Sequence, residues 1–196
     1  MAKRIPKKAA GKRRARQWYK ILAPPIFNEA ELGETPTNDP SQLIGRVTEA
    51  TLQEITGDAA RTHVKLNFQI DSIDGLTART KLMGHELTSD YVRRLVRRRR
   101  SKMDMACNVT TKDGYTIRIK PMIVTNERIQ TTQKALMRNT ALELVQAEGK
   151  YDFNTAMQRA VFGPLAADIS AACNRIRPVK RVEIRRSEVL SSPTSP

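Results

Sequence analysis

Between Arg93 and Lys102 the chain places six arginines and one lysine, within the stretch YVRRLVRRRRSKMD at residues 91–104. The chemistry suited to this density is recognition of phosphate. A guanidinium is planar and always charged, pairs bidentately with phosphate oxygens and stacks on bases. Six arginines against one lysine favour phosphate contact over mere solubility. The competing explanation is a solvated charged face, offset by acids on other elements.

A second basic segment precedes the first apolar run. Residues 1–16 hold eight Lys and Arg and no acid, among them Lys7, Lys8, Lys12, Arg13, Arg14 and Arg16. They supply about half of the net charge of +15. The segment has no sustained apolar period and cannot bury enough surface to offset chain entropy, so residues 1–17 read as a tail that is disordered alone. Short basic arms of this kind bind nucleic acid. Arg128, Lys134 and Arg138 are further candidates, near the start of a long helical pattern.

Other chemistry is thinly represented. No G-x-x-x-x-G-K-S/T loop and no G-x-G-x-x-G turn occurs. His63, His85, Cys107 and Cys173 could supply four zinc ligands by number, but their spacing shows no close pairs. Core thiols and surface imidazoles are the expectation, with no metal and no cofactor. GHEL at 84–87 lacks a second histidine four residues on, so it is no metalloprotease motif. Asp71, Asp74 and Asp113 sit in turn contexts, where aspartate is common for backbone reasons. A metal-dependent RNA-processing enzyme built from such carboxylates stays open as an alternative. Aromatics are 5% of residues and form no RNP-like pattern. Trp18 and Tyr19 follow the basic tail and either stack on a base or anchor the tail's root.

The elements that must position these groups come from periodicity. QWYKILAPPIF opens as a strand stopped by Pro24-Pro25, and residues 28–42 read as a polar surface loop. LIGRVTEATL suits a strand, with Gly45 at a bulge or a close backbone approach. In THVKLNFQIDSI, Val64, Leu66, Phe68 and Ile70 share one face, and His63, Lys65, Asn67 and Gln69 the other. Asp74-Gly75 signals a hairpin, and Lys112-Asp113-Gly114 a second. On the return arm of that second hairpin, Tyr115, Ile117 and Ile119 alternate with polar residues until Pro121, which marks an edge or a bulge. A helix runs from a cap at Thr131 or Thr132 to Gly149, with Leu136, Ala141, Leu144 and Val145 on its apolar face. Helices over 153–162 and 164–175 and a last strand over 178–190 complete the chain.

Within this frame the arginine cluster occupies a short helix. Thr88 is placed to cap it, Asp90 sits in the first turn, and Leu87 and Val92 form a staple. Tyr91, Val92, Leu95 and Val96 span one arc, with Arg93, Arg94 and Arg97 opposite. Arg99 falls inside the apolar arc, so the helix is expected to end near Arg98.

Length fits one domain, 18–190, between the tail 1–17 and a disordered end 191–196. No apolar run approaches the roughly 18 residues of a spanning helix, and the N-terminus lacks the apolar stretch of a secretory signal. Two distant cysteines point to a reducing, intracellular compartment.

Several stretches, taken in order, resemble one family. They are Trp18-Tyr19 with Ala23-Pro24 and Phe27, Gly45-Arg46-Val47 with Glu49, GHELTSD at 84–90, VTTKDGY at 109–115, and Asp168-Ile169, Cys173, Ile176, Pro178 and VEIRR at 182–186. Together they resemble the ribosomal protein S-three-A-e family, also called eukaryotic-type S-one, in its archaeal form. Arg177 departs from the family's frequent aromatic before Pro178. The resemblance implies a β-barrel-like, mostly antiparallel sheet with flanking helices, an α+β fold. It implies a place on the platform of the small subunit, against ribosomal RNA near its 3′ end and the messenger RNA exit. Neighbouring ribosomal proteins, and messenger RNA near the exit, are the further partners it suggests. No catalytic residue follows from it.

The sequence reading is therefore a cytoplasmic, non-enzymatic ribosomal protein that contacts small-subunit RNA through phosphates. Its binding residues are Lys7, Lys8, Lys12, Arg13, Arg14, Arg16, Arg93, Arg94, Arg97, Arg98, Arg99, Arg100, Lys102, Arg128, Lys134 and Arg138. The alternatives are the RNA-processing enzyme and a free nucleic-acid-binding protein.

Overall fold

The computed structural model describes residues 16–193, which form nine strands and five α-helices. Strand β1 (Gln17–Leu22) is followed by β2 (Glu31–Thr37), β3 (Val47–Thr51), α1 (Leu52–Thr56), β4 (Val64–Asp74), β5 (Thr77–Leu87) and α2 (Ser89–Leu95). Then come β6 (Lys102–Asp104), β7 (Cys107–Thr110), β8 (Thr116–Thr125), α3 (Thr131–Ala147), α4 (Phe153–Phe162), α5 (Pro164–Asn174) and β9 (Val179–Ser191).

Two long hairpins carry the frame. In the first, Asp74 pairs with Thr77 across a two-residue loop in which Gly75 takes φ 61°, as that turn requires. In the second, β7 pairs with β8, and β8 runs on to pair with β9 along most of its length. Pro121 sits at a register shift between β8 and β9, as expected of a proline inside a ladder.

The sheet is mostly antiparallel but does not close, which corrects the barrel-like expectation. β5 gives one edge to β4 and splits the other between β1, in parallel, and β9. β8 likewise gives one edge to β9 and splits the other between β6 and β7. Branching at both strands leaves β2, β3, β6 and β7 as edges that do not pair with one another, so the fold is α+β on an open mixed sheet.

The helices pack against this sheet. Leu66, Phe68, Leu82, Ile117, Ile119 and Ile123 meet Met137, Ala141, Val145, Met157, Leu165 and Ile169 in one core. A smaller cluster of Tyr19, Ile21, Leu43, Ile70 and Ala78 lies under β1.

Other readings shift in detail. Residues 31–37 form edge strand β2 rather than loop; its ladder is only with β1, so Pro36 is tolerated without an apolar period. α3 is capped from Gln130 and ends in a 3-10 turn over Glu148–Lys150, in place of a threonine cap and a stop at Gly149. Its buried face is Met137, Ala141 and Val145, whereas Leu136 is 54% exposed.

His85 corrects the surface-imidazole expectation, being 2% exposed. Its Nε2 lies 3.0 Å from the Ile184 carbonyl, which can only accept, so Nε2 carries the proton. Nδ1 then accepts from the Ser187 hydroxyl at 2.6 Å. Burial pushes the imidazole down to about 4. Gly84 beside it has φ 152°, and a Cβ there would meet the Ser187 carbonyl oxygen at 2.0 Å. Glycine lets β9 approach closely enough for His85 to reach it.

Candidate nucleic-acid interface

The arginine helix is set by its surroundings more than by its own cap. Thr88 takes the cap position with extended backbone, but its side chain makes no capping bond. Its N–H donates to the His63 carbonyl at 2.9 Å, fixing the start of α2 beside the start of β4. Tyr91 and Val92 join the main core with Leu87. The helix stops at Leu95, three residues short of the expected end, because Val96 leaves in an extended conformation. Residues 97–100 form a connection, exposed at 97–99, in which Arg99 holds φ 66°, a conformation costly for a side chain with a Cβ.

Ser101 then ties this connection to a second element. Its N–H donates to Thr125 Oγ1 at 3.1 Å, and its carbonyl accepts from the Thr125 N–H at 3.0 Å. Its hydroxyl accepts from the Ile129 N–H at 3.2 Å. One buried serine thus pins the end of the arginine run to the end of β8 and to the segment leading into α3. The result is a concavity of about 460 Å³ lined by Arg99, Arg100, Ser101, Lys102, Arg128 and Lys134, with no carboxylate in its wall. Only Lys102 has an acidic partner nearby, Asp104 at 2.7 Å. Arg138 lies one turn beyond Lys134 on α3, exposed but outside the concavity.

Among the described residues, Arg93, Arg94 and Arg97 to Arg100 form no ion pair. Asp90, in the first turn of the same helix, forms no ion pair with them, and the aspartates singled out in the sequence are engaged elsewhere. Asp71 pairs with Lys81 and Asp74 with Arg79, while Asp113 accepts from the Phe153 N–H at 3.0 Å. Among the described residues, no three His, Cys, Asp or Glu side chains gather as a metal site requires, and no helix is long and apolar enough to cross a membrane.

Not every predicted residue joins this surface. Lys7, Lys8, Lys12, Arg13 and Arg14 lie outside the described residues. Arg16 immediately precedes β1, which runs parallel to β5 with Lys20 opposite Thr77. Arg16 therefore lies beyond the end of β5 that is far from α2, roughly 45 Å away measured along the strand direction. Beside it the two aromatics divide: Tyr19 is 3% exposed in the core and Trp18 is 59% exposed.

The reading of single residues missed a second grouping. Arg94 lines a groove of about 650 Å³ with His63, Tyr91, Arg181, Thr62, Thr88, Asp90 and Leu95. The β4–β5 hairpin register brings His63 opposite Thr88, and the start of β9 supplies Arg181.

Comparison with known proteins defines first a class. The profile of the Ribosomal S3Ae family matches residues 5–193, and the chain belongs to that family. Among curated relatives, the small ribosomal subunit protein eS1 of Methanothrix thermoacetophila is 42% identical over 194 residues, 98% of this chain and 92% of that protein. The small ribosomal subunit protein eS1 of Aeropyrum pernix is 43% identical over 185 residues, covering 92% of this chain and 86% of its own. That of Methanothermobacter thermautotrophicus is 39% identical over 194 residues, 98% and 100% respectively.

Proposed function

We propose that this chain is a structural constituent of the small ribosomal subunit that holds ribosomal RNA by its phosphates and catalyses no reaction. The carrying observation is the acid-free concavity of Arg99, Arg100, Lys102, Arg128 and Lys134, continuous with the unpaired run Arg93 to Arg98. Cations fixed on a folded frame and left without internal partners match a polyanion whose backbone passes across them. Arg138 extends this contact along α3. The basic residues Lys7, Lys8, Lys12, Arg13, Arg14 and Arg16 supply a further contact. Exposed Leu136 on α3 suits a protein neighbour. The family resemblance supports a position on the platform, near the 3′ end of the RNA and the messenger exit.

Retention of a labelled small-subunit RNA fragment by the full chain, measured from 50 to 200 mM salt, tests this reading. Affinity falls steeply with salt as counterions are released. Changing Arg93, Arg94 and Arg97 to Ser lowers the slope of log affinity against log salt by about 3. The triple variant also fails to sediment with small subunits. An unchanged slope, or cleavage of the RNA with magnesium, overturns the proposal.

A further inference from the structure

The groove beside α2 differs from the cationic concavity. Its lining includes an aromatic pair, the His63 imidazole stacked on the Tyr91 ring with centroids 3.8 Å apart and planes 21° from parallel. The pair is held from three elements. Tyr91 OH donates to Glu183 Oε1 at 2.9 Å, and Arg181 Nε donates to the same oxygen at 2.7 Å. Both rings are half-buried, so each leaves part of its surface to the groove. Burial pushes His63 below the usual imidazole range, Glu183 opposes this, and Arg181 and Arg94 add to it; the ring is a neutral slab near pH 7. Asp90 lines the wall and has no ion pair among the described residues. A carboxylate there works against a bare anion but accepts from an amino group.

We infer that this groove takes one unpaired nucleobase of an RNA strand, stacked against the His63–Tyr91 pair, with the adjoining phosphate on Arg94. The inference rests on the RNA reading above and adds base contact to it. Its volume lies in the range of sites that enclose small ligands. Arg94 belongs to the unpaired run, so a strand following those arginines passes the mouth of the groove. Duplex RNA keeps its bases stacked internally and cannot enter. Asp90 favours a base with an exocyclic amine, such as cytosine, over uracil.

The chain has two histidines, and the second provides an internal control. Imidazole NMR of the full chain titrated with oligocytidylate should show the His63 ring signals shifting while those of buried His85 stay fixed. Duplex RNA of equal length should bind and move neither. His63→Ser should weaken oligocytidylate binding about tenfold, the value of one base–aromatic stack, with duplex affinity unchanged. Tyr91→Phe, which keeps the ring, should retain at least most of the affinity. If duplex RNA binds while oligocytidylate leaves His63 unmoved, the groove inference falls and the phosphate reading stands. If neither RNA binds, both fall.

Discussion

The molecule treats arginine in two ways. At the α4–α5 junction, Arg159 is committed within the fold: its Nε donates to both oxygens of Glu148, at 3.1 and 3.0 Å, and a terminal nitrogen donates to Asp168 at 2.5 Å. Its guanidinium also lies over the Tyr151 ring. Between residues 93 and 100, six guanidiniums share no carboxylate among the described residues. A buried acid such as Glu148, 3% exposed, is costly to hold ionised without its cation. The 93–100 run satisfies no buried acid and adds mutual repulsion. Charge that the fold neutralises is structural; charge it leaves bare is free to meet a polyanion, as proposed above.

The largest test of this contrast is Arg159→Met. It keeps volume but strands the Glu148 carboxylate, and should cost about 4 kcal/mol of stability in urea unfolding near neutral pH. Burial already holds Glu148 above the usual carboxylate range despite Arg159. In the variant the acid is raised further. The deficit is therefore present when the carboxylate is ionised and shrinks as pH falls and Glu148 takes a proton. A loss under about 1 kcal/mol would place Arg159 with the dispensable charges.

His85 provides the next test, for an uncharged group held by the fold. Its folded value of about 4 lies below the ordinary 6.5, so the unfolded chain binds the proton first as pH falls. Stability is then fully present above about pH 6.5 and lost progressively towards pH 4, by about 3 kcal/mol for this residue. His85→Asn removes that component, and the difference between the two pH profiles measures it. Parallel profiles would show that the imidazole is not buried neutral.

How much of this was legible in the sequence depends on the residue. The alternation of β4 and β8 and both hairpin turns were plain, because one face of each strand is buried. Edge strand β2 was hidden by Gly33 and Pro36, since an edge with one partner needs no apolar period. His85 was misread because β5 carries a bulge at Met83: Ala78, Thr80 and Leu82 face inward before it, His85 and Leu87 after it. A matching bulge at Asp71 on β4 restores the register, so His63 still falls opposite Thr88, as the two-residue hairpin alone implies. The aromatic groove was thus within reach of the sequence. The cationic concavity was not, because Ser101 joins its two halves through Thr125 and Ile129, which no local pattern links.

The smallest effect is the sharpest. Changing Arg93, Arg94 and Arg97 to Ser should alter folding stability by less than about 0.5 kcal/mol. Two small terms oppose one another. Arg93 and Arg94 occupy the last turn of α2, where cations favour the helix dipole by a few tenths of a kcal/mol. Their removal also relieves repulsion within the run by a similar amount. None of the three leaves a buried partner behind, so no desolvated acid is stranded as it is by Arg159→Met. A loss of 2 kcal/mol or more would mean that these guanidiniums serve an internal carboxylate after all, and the two kinds of arginine would become one.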